Sequence, residues 1–162
     1  MKLFQGLLGK SGGTPVAAPV SGRLVSIREV NDPTFGEEVL GKGVAILPSD
    51  NRICSPIDGI VTTVFPTGHA AAITGSDGME ILIHVGLDTV KLKGQHFSIH
   101  AEAGQQVSRG DLLIEADMDA IRAEGCDIIT PVVICNSDDY SEVRIEPAGD
   151  VAQGDVVMTL KK

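Results

Sequence analysis

From Val16 onward, short apolar runs alternate with polar positions, and most runs close on Gly, Pro or Asp. A period of two marks strands that bury one face. Strands are expected over residues 23–30, 43–47, 60–65, 70–74, 80–85, 112–116, 132–135 and 156–160. One helical piece is expected over residues 118–123, with Asp117 as its N-cap, and residues 35–40 are expected to make a single turn. The pattern predicts an all-β fold, an antiparallel β-sandwich or barrel with minimal helix.

Two segments repeat. Ala18-Pro19-Val20-Ser21-Gly22 returns as Ser55-Pro56-Ile57-Asp58-Gly59. Residues 104–111 (Gly-Gln-Gln-Val-Ser-Arg-Gly-Asp) return as residues 148–155 (Ala-Gly-Asp-Val-Ala-Gln-Gly-Asp). Each copy leads into a strand. The spacing is irregular, which excludes a solenoid and predicts pseudo-symmetric hairpins.

The strand over residues 80–85 brings His84 to its end, with Gly86 two residues later. The preceding strand begins beside His69, and Gly75-Ser76-Asp77-Gly78 reads as the turn between them. A two-residue loop at Ser76-Asp77, or a four-residue loop, would pair His69 with His84 on one face, their Cβ atoms about 4.5–5.5 Å apart. Ala71, Ile73 and Leu82 would share that face. A three-residue loop with a glycine bulge would shift the register by one and part the rings. Thr67, two residues before His69, is expected on the same strand face, where its hydroxyl would orient that ring by hydrogen bonding.

A single histidine at a strand end is usually structural. Two facing imidazoles on an apolar surface better suit phosphoryl chemistry. One neutral ring attacks phosphorus, and the other stabilises charge on the phosphoryl oxygens. Nothing else in the chain competes as a chemical centre. Walker, dinucleotide, serine-elbow, H-E-x-x-H and zinc-ribbon patterns are missing. His96 and His100 are assigned to the surface.

The length of 162 residues fits one domain with a real core. A net charge of −9, without a basic cluster, argues against nucleic acid and anionic membranes as partners. Three separated cysteines (Cys54, Cys126, Cys135) are expected to be reduced, buried and inert, as in a cytosol. No run is long and apolar enough to span a bilayer, so no stable membrane insertion is expected. Residues 1–15 read as a flexible tail ending in a Ser-Gly-Gly-Thr-Pro linker, although Leu3, Phe4, Leu7 and Leu8 share a helical face. Residues 16–162 are expected to form the single domain.

Residues 78–90 (Gly-Met-Glu-Ile-Leu-Ile-His-Val-Gly-Leu-Asp-Thr-Val) resemble the phosphohistidine signature of glucose-type enzyme IIA. This is the phosphocarrier domain of the bacterial sugar phosphotransferase system. The resemblance covers nearly all of the chain after the tail. It includes Ala18-Pro-Val-Ser-Gly22, Gly41-Lys-Gly43-Val-Ala-Ile46, Ser55-Pro-Ile-Asp-Gly59, Phe65-Pro-Thr67-Gly-His69, Leu92-Lys-Gly94 and Thr130-Pro-Val-Val133. It implies His84 as phosphoacceptor through Nε2, with its Nδ1–H on a backbone carbonyl near Gly86. His69 would be the supporting histidine and Thr67 its orienting hydroxyl. Asp32 and Asp88 match the flanking acids, and Phe35 and Phe65 the apolar rim. The implied donor is HPr, and the implied acceptor a cysteine of the IIB domain of a sugar permease. Regulatory target proteins stay open. The resemblance implies a cytoplasmic protein that meets the membrane permease transiently. Leu82 and Val85 depart from the family, where phenylalanine is frequent. The expected docking surface is a shallow apolar depression lined by Phe35, Phe65, Ile73 and Leu82, with Asp32 and Asp88 at its edge.

Two other readings come from different classes. Residues 104–118 resemble the sequence entering a lipoyl- or biotinyl-lysine turn, but Met118 stands where the modified lysine would be. A metal could use His69 and His84, but two histidines need further ligands. No cofactor is expected to be required, and zinc only at an interface where a partner adds a ligand.

Overall fold

A computed structural model describes residues 13–162. The strands are β1 (Thr14–Ala17), β2 (Gly22–Ser26), β3 (Lys42–Pro48), β4 (Arg52–Cys54), β5 (Gly59–Val64), β6 (Ala70–Gly75) and β7 (Glu80–His84). They continue as β8 (Phe97–Ile99), β9 (Gln106–Val107), β10 (Leu112–Ala116), β11 (Thr130–Ile134), β12 (Glu142–Ile145), β13 (Gly149–Val151) and β14 (Val156–Lys161). Helix α1 is Pro33–Gly36 and helix α2 is Met118–Ala123, capped by Asp117 through the Ala120 N–H as expected.

Every ladder is antiparallel. One sheet runs β13-β2-β3-β11-β7-β6-β5-β9, and two smaller sheets run β1-β14-β12 and β4-β10-β8. Alternation splits the large sheet into two apolar faces. Leu24, Val44, Ile46, Ile73, Ile81, Ile83, Val132 and Ile134 join Val16, Ile53, Ile114 and Leu160 of the small sheets in the main core. The neighbouring positions Val25, Ala45 and Val133 turn to the opposite face, under Ile27, Val30, Phe35, Leu87 and Ile129, with Leu82 packed alongside. Each fully buried Leu or Ile contributes roughly 1.5–3 kcal/mol. This second face carries the site.

The repeats are structural. The Ala18 N–H donates to Asp155 O and the Gly154 N–H to Ala18 O; likewise the Ser55 N–H donates to Asp111 O and the Gly110 N–H to Ser55 O. Asp111 and Asp155 each accept a backbone N–H within their own turns at 2.8 Å.

Three expectations change. Thr14 and Pro15, read as linker, open β1 and pair with Leu160 and Thr159, so the ordered domain starts before residue 16. The rest of the expected tail, residues 1–12, lies outside the described residues. Residues 27–29 are a 3₁₀ turn rather than more strand, because the Ser26 hydroxyl caps the Arg28 N–H. Cys54 and Cys126 are buried, but Cys135 is exposed, since it follows the end of β11. Met118 opens α2 within the main core, which is no place for a carrier lysine.

Candidate functional site

The β6–β7 turn is the three-residue loop. The Gly75 N–H donates to Met79 O at 2.8 Å, and Gly78 adopts φ +91°. Asp77 favours this geometry because its Oδ1 accepts the Met79 N–H at 3.1 Å. Its Oδ2 also accepts the Thr14 and Tyr140 hydroxyls. The register therefore pairs Ala70, not His69, with His84, and Ala72 with Leu82. Ala71 and Ile73 face the main core, opposite to the sequence expectation, and Ile73 is 0% exposed. It cannot line a docking depression.

The two rings nevertheless meet. Their centroids are 5.1 Å apart and their planes cross at 77°. His69 precedes β6, at a bend where pleat alternation has stopped. Gly68 beside it has φ +74°, and a Cβ there would lie 2.8 Å from the Cβ of Phe97. This turn swings the His69 ring back over the face that His84 occupies. The backbones are tied by the Val85 N–H, which donates to His69 O at 2.7 Å.

Each ring has one nitrogen committed. His84 Nδ1 lies 2.7 Å from Gly86 O, so that nitrogen carries the proton and Nε2 keeps its lone pair. His69 Nδ1 lies 2.5 Å from the Thr67 hydroxyl. Phe35 lies tilted against His84, with ring centroids 5.0 Å apart, and Phe65 stands edge-on to His69 at 5.1 Å. Burial holds the His69 imidazole below its ordinary range, and the neighbouring His84 pushes the same way. Burial also lowers His84, against opposing pulls from the Gly86 carbonyl, Asp32 and Asp88. Both rings are therefore biased towards the neutral form.

His69 is only 4% exposed, whereas His84 is half-buried. Asp32 caps α1 through the Thr34 N–H, and Asp88 is exposed in a left-handed conformation at φ 59°. Both carboxylates favour the charged form of His84. Phe65 is 38% exposed, but Phe35 is buried beneath His84 and is its floor, not a rim. Leu82 is half-buried against the second cluster. Val90, 56% exposed and two residues after Asp88, adds an apolar surface residue that no sequence signal marks.

Thr89 was also missed as a site residue. It is fully buried, and its hydroxyl donates to Val85 O at 2.6 Å. The Leu87 N–H is held by Asp127 O at 2.9 Å. Thr89 stood within the quoted motif, but a backbone carbonyl as its partner leaves no mark in sequence.

His96 and His100 lie apart from this site, facing Glu124 at 3.0 Å and Glu115 at 2.7 Å. Among the described residues no group of three His, Cys, Asp or Glu could hold a metal. The two Nε2 atoms would supply two of the four ligands of tetrahedral zinc, so any such ion would need the rest from outside this chain. No helix among the described residues is long and apolar enough to cross a membrane.

Residues 14–140 match the family model described as phosphoenolpyruvate-dependent sugar phosphotransferase system, EIIA 1. The glucose-specific EIIA component of Haemophilus influenzae is 40% identical over 162 residues, covering 99% of this chain and 97% of that one. The beta-glucoside-specific EIIBCA component of Bacillus subtilis is 43% identical over 145 residues, 90% of this chain but 24% of that longer protein. The solved glucose permease IIA from Mycoplasma capricolum superposes with a TM-score of 0.84 at 37% identity, covering 90% of this chain and 94% of that one. The chain belongs to the EIIA family of the sugar phosphotransferase system. It is a phosphocarrier, a transferase component of that system.

Proposed function

We propose that His84 accepts the phosphoryl group on Nε2, from the phosphohistidine of HPr, and passes it to a cysteine of a IIB domain. The Nε2 lone pair attacks phosphorus. A new N–P bond forms while the N–P bond to the donor breaks, and the donor imidazole leaves with the electron pair. In the second transfer a cysteine thiolate attacks the same phosphorus and His84 leaves. Throughout, the Gly86 carbonyl keeps the proton on Nδ1 and so keeps Nε2 available.

The observation that carries this reading is the 2.7 Å contact between His84 Nδ1 and Gly86 O, beside a second ring at 5.1 Å. The Thr67 hydroxyl donating to His69 Nδ1 would leave the His69 proton on Nε2. There it would donate to a phosphoryl oxygen and stabilise charge in transfer. The low exposure of His69 suits that role, since only His84 has to meet the partner. The name of the Bacillus relative places A with B and C in one chain, which supports a IIB acceptor and a permease as partners here.

The test is incubation with phosphoenolpyruvate, enzyme I and HPr, followed by intact mass at neutral or alkaline pH. The expected result is a gain of one phosphoryl group, lost on acid treatment and absent in His84→Ala. An equal gain in His84→Ala would reject the assignment.

A further inference from the structure

We propose that Thr89 is a positioning residue for the phosphoacceptor: its buried hydroxyl fixes the backbone that presents the Gly86 carbonyl to His84. The proposal rests on the reading of His84 Nε2 as the phosphoacceptor.

Gly86 has φ +74° and no side chain to restrain it. Glycine visits many conformations, so the two peptide planes that flank it rotate freely unless something holds them. Each plane has one clamp. In the Gly86–Leu87 peptide, the Leu87 N–H donates to Asp127 O at 2.9 Å. The carbonyl of a trans peptide points opposite to its N–H. Asp127 therefore aims the Gly86 carbonyl away from itself, and it reaches His84 Nδ1 at 2.7 Å. In the Val85–Gly86 peptide, the clamp is the Thr89 hydroxyl on Val85 O at 2.6 Å.

The Asp127 clamp is main chain; the Thr89 clamp is a side chain. Thr89 also fills the space beneath Gly86, since a Cβ on Gly86 would lie 2.7 Å from Thr89 Cγ2 and 2.7 Å from Asp127 O. Val85 and Thr89 are both 0% exposed, so bulk water is a poor substitute for the hydroxyl. Without it, the Val85 carbonyl has to turn towards another donor. That turn carries Gly86 with it and loosens the bond that pins the His84 proton to Nδ1. A ring with its proton on Nε2 has no lone pair at the attacking atom.

The experiment is long-range ¹H–¹⁵N spectroscopy of the imidazoles at pH 7.5 in the full chain, beside the initial rate of phosphate acceptance from HPr. The native chain is expected to show His84 as one tautomer, protonated on Nδ1. Thr89→Val keeps the shape and removes the hydroxyl. It is expected to mix the tautomers and slow acceptance about tenfold or more. Thr89→Ser, which restores the donor, is expected to recover both. Should Thr89→Val not fold, Thr89→Ala is read in the same way. A single Nδ1–H tautomer with an unchanged rate in the folded variant would overturn the proposal. The tautomer readout needs no phosphate. A shifted tautomer in a chain whose His84 takes no phosphate would uphold the positioning role and reject the phosphoacceptor reading.

Discussion

His69 stands edge-on to His84 at 5.1 Å, although the β6–β7 ladder places Ala70 opposite His84. Two local departures cancel. The bulged turn at Gly78 shifts the ladder by one residue, and the bend at Gly68 returns the ring to the shared face. The pair therefore depends on backbone conformation at both ends of β6.

Gly68→Ala tests that dependence. The new Cβ meets Phe97 at 2.8 Å, in a backbone conformation that suits glycine. The expected cost is roughly 1–3 kcal/mol of stability, with a larger loss in phosphate delivery than in acceptance. Urea denaturation and the two transfer rates check it. An unchanged delivery rate would show that the bend does not set the ring.

His69→Gln separates acceptance from delivery. Glutamine keeps a polar group but loses the imidazole donor. The variant is expected to accept phosphate from HPr within a few-fold of the native rate, and to deliver it to IIB slower by about 10²-fold. Stopped-flow or quench-flow transfer measures both steps. Native delivery would remove His69 from the chemistry.

The pH dependence follows from burial. Both rings have pKa values below the ordinary 6.5 in the folded chain. Between the folded values and 6.5 the unfolded chain binds more protons, so stability rises with pH through that window and falls on acidification. Thermal melts from pH 5 to 8 should show this loss below pH 6.5, and His69→Gln should flatten the slope. A slope of opposite sign would contradict neutral rings.

Leu82 was expected to line an open surface, where aspartate would weaken docking alone. It instead packs on the cluster around Phe35, Ala45 and Val133. Leu82→Asp is now expected to cost about 3 kcal/mol or more by placing a carboxylate against apolar neighbours. The midpoint of urea unfolding measures this, and an unchanged midpoint would place Leu82 on the surface after all.

The fold was legible wherever a short apolar run was bounded by Gly, Pro or Asp, as in β3 and β10. It was not legible in short ladders such as Gln106–Val107, whose pairing with Gly59 and Ile60 is set by the repeat's turns rather than by any period. The site was half legible. His69, His84 and Thr67 stood out because their chemistry is carried by side chains. The register follows the three-residue loop, in which Asp77 caps the Met79 N–H. Ile73 was misplaced for that reason. Thr89 stayed hidden because its partner is a carbonyl oxygen.

Phosphate acceptance turns on one atom, Nε2 of His84. The most direct test is to phosphorylate the ¹⁵N-labelled chain through enzyme I and HPr, and to locate the phosphorus–nitrogen bond by ¹H–¹⁵N–³¹P correlation at alkaline pH. The expected product is a single phosphohistidine, at His84, with phosphorus on Nε2 and Nδ1 still protonated. Phosphorus on Nδ1 of His84, or on His69, would contradict it.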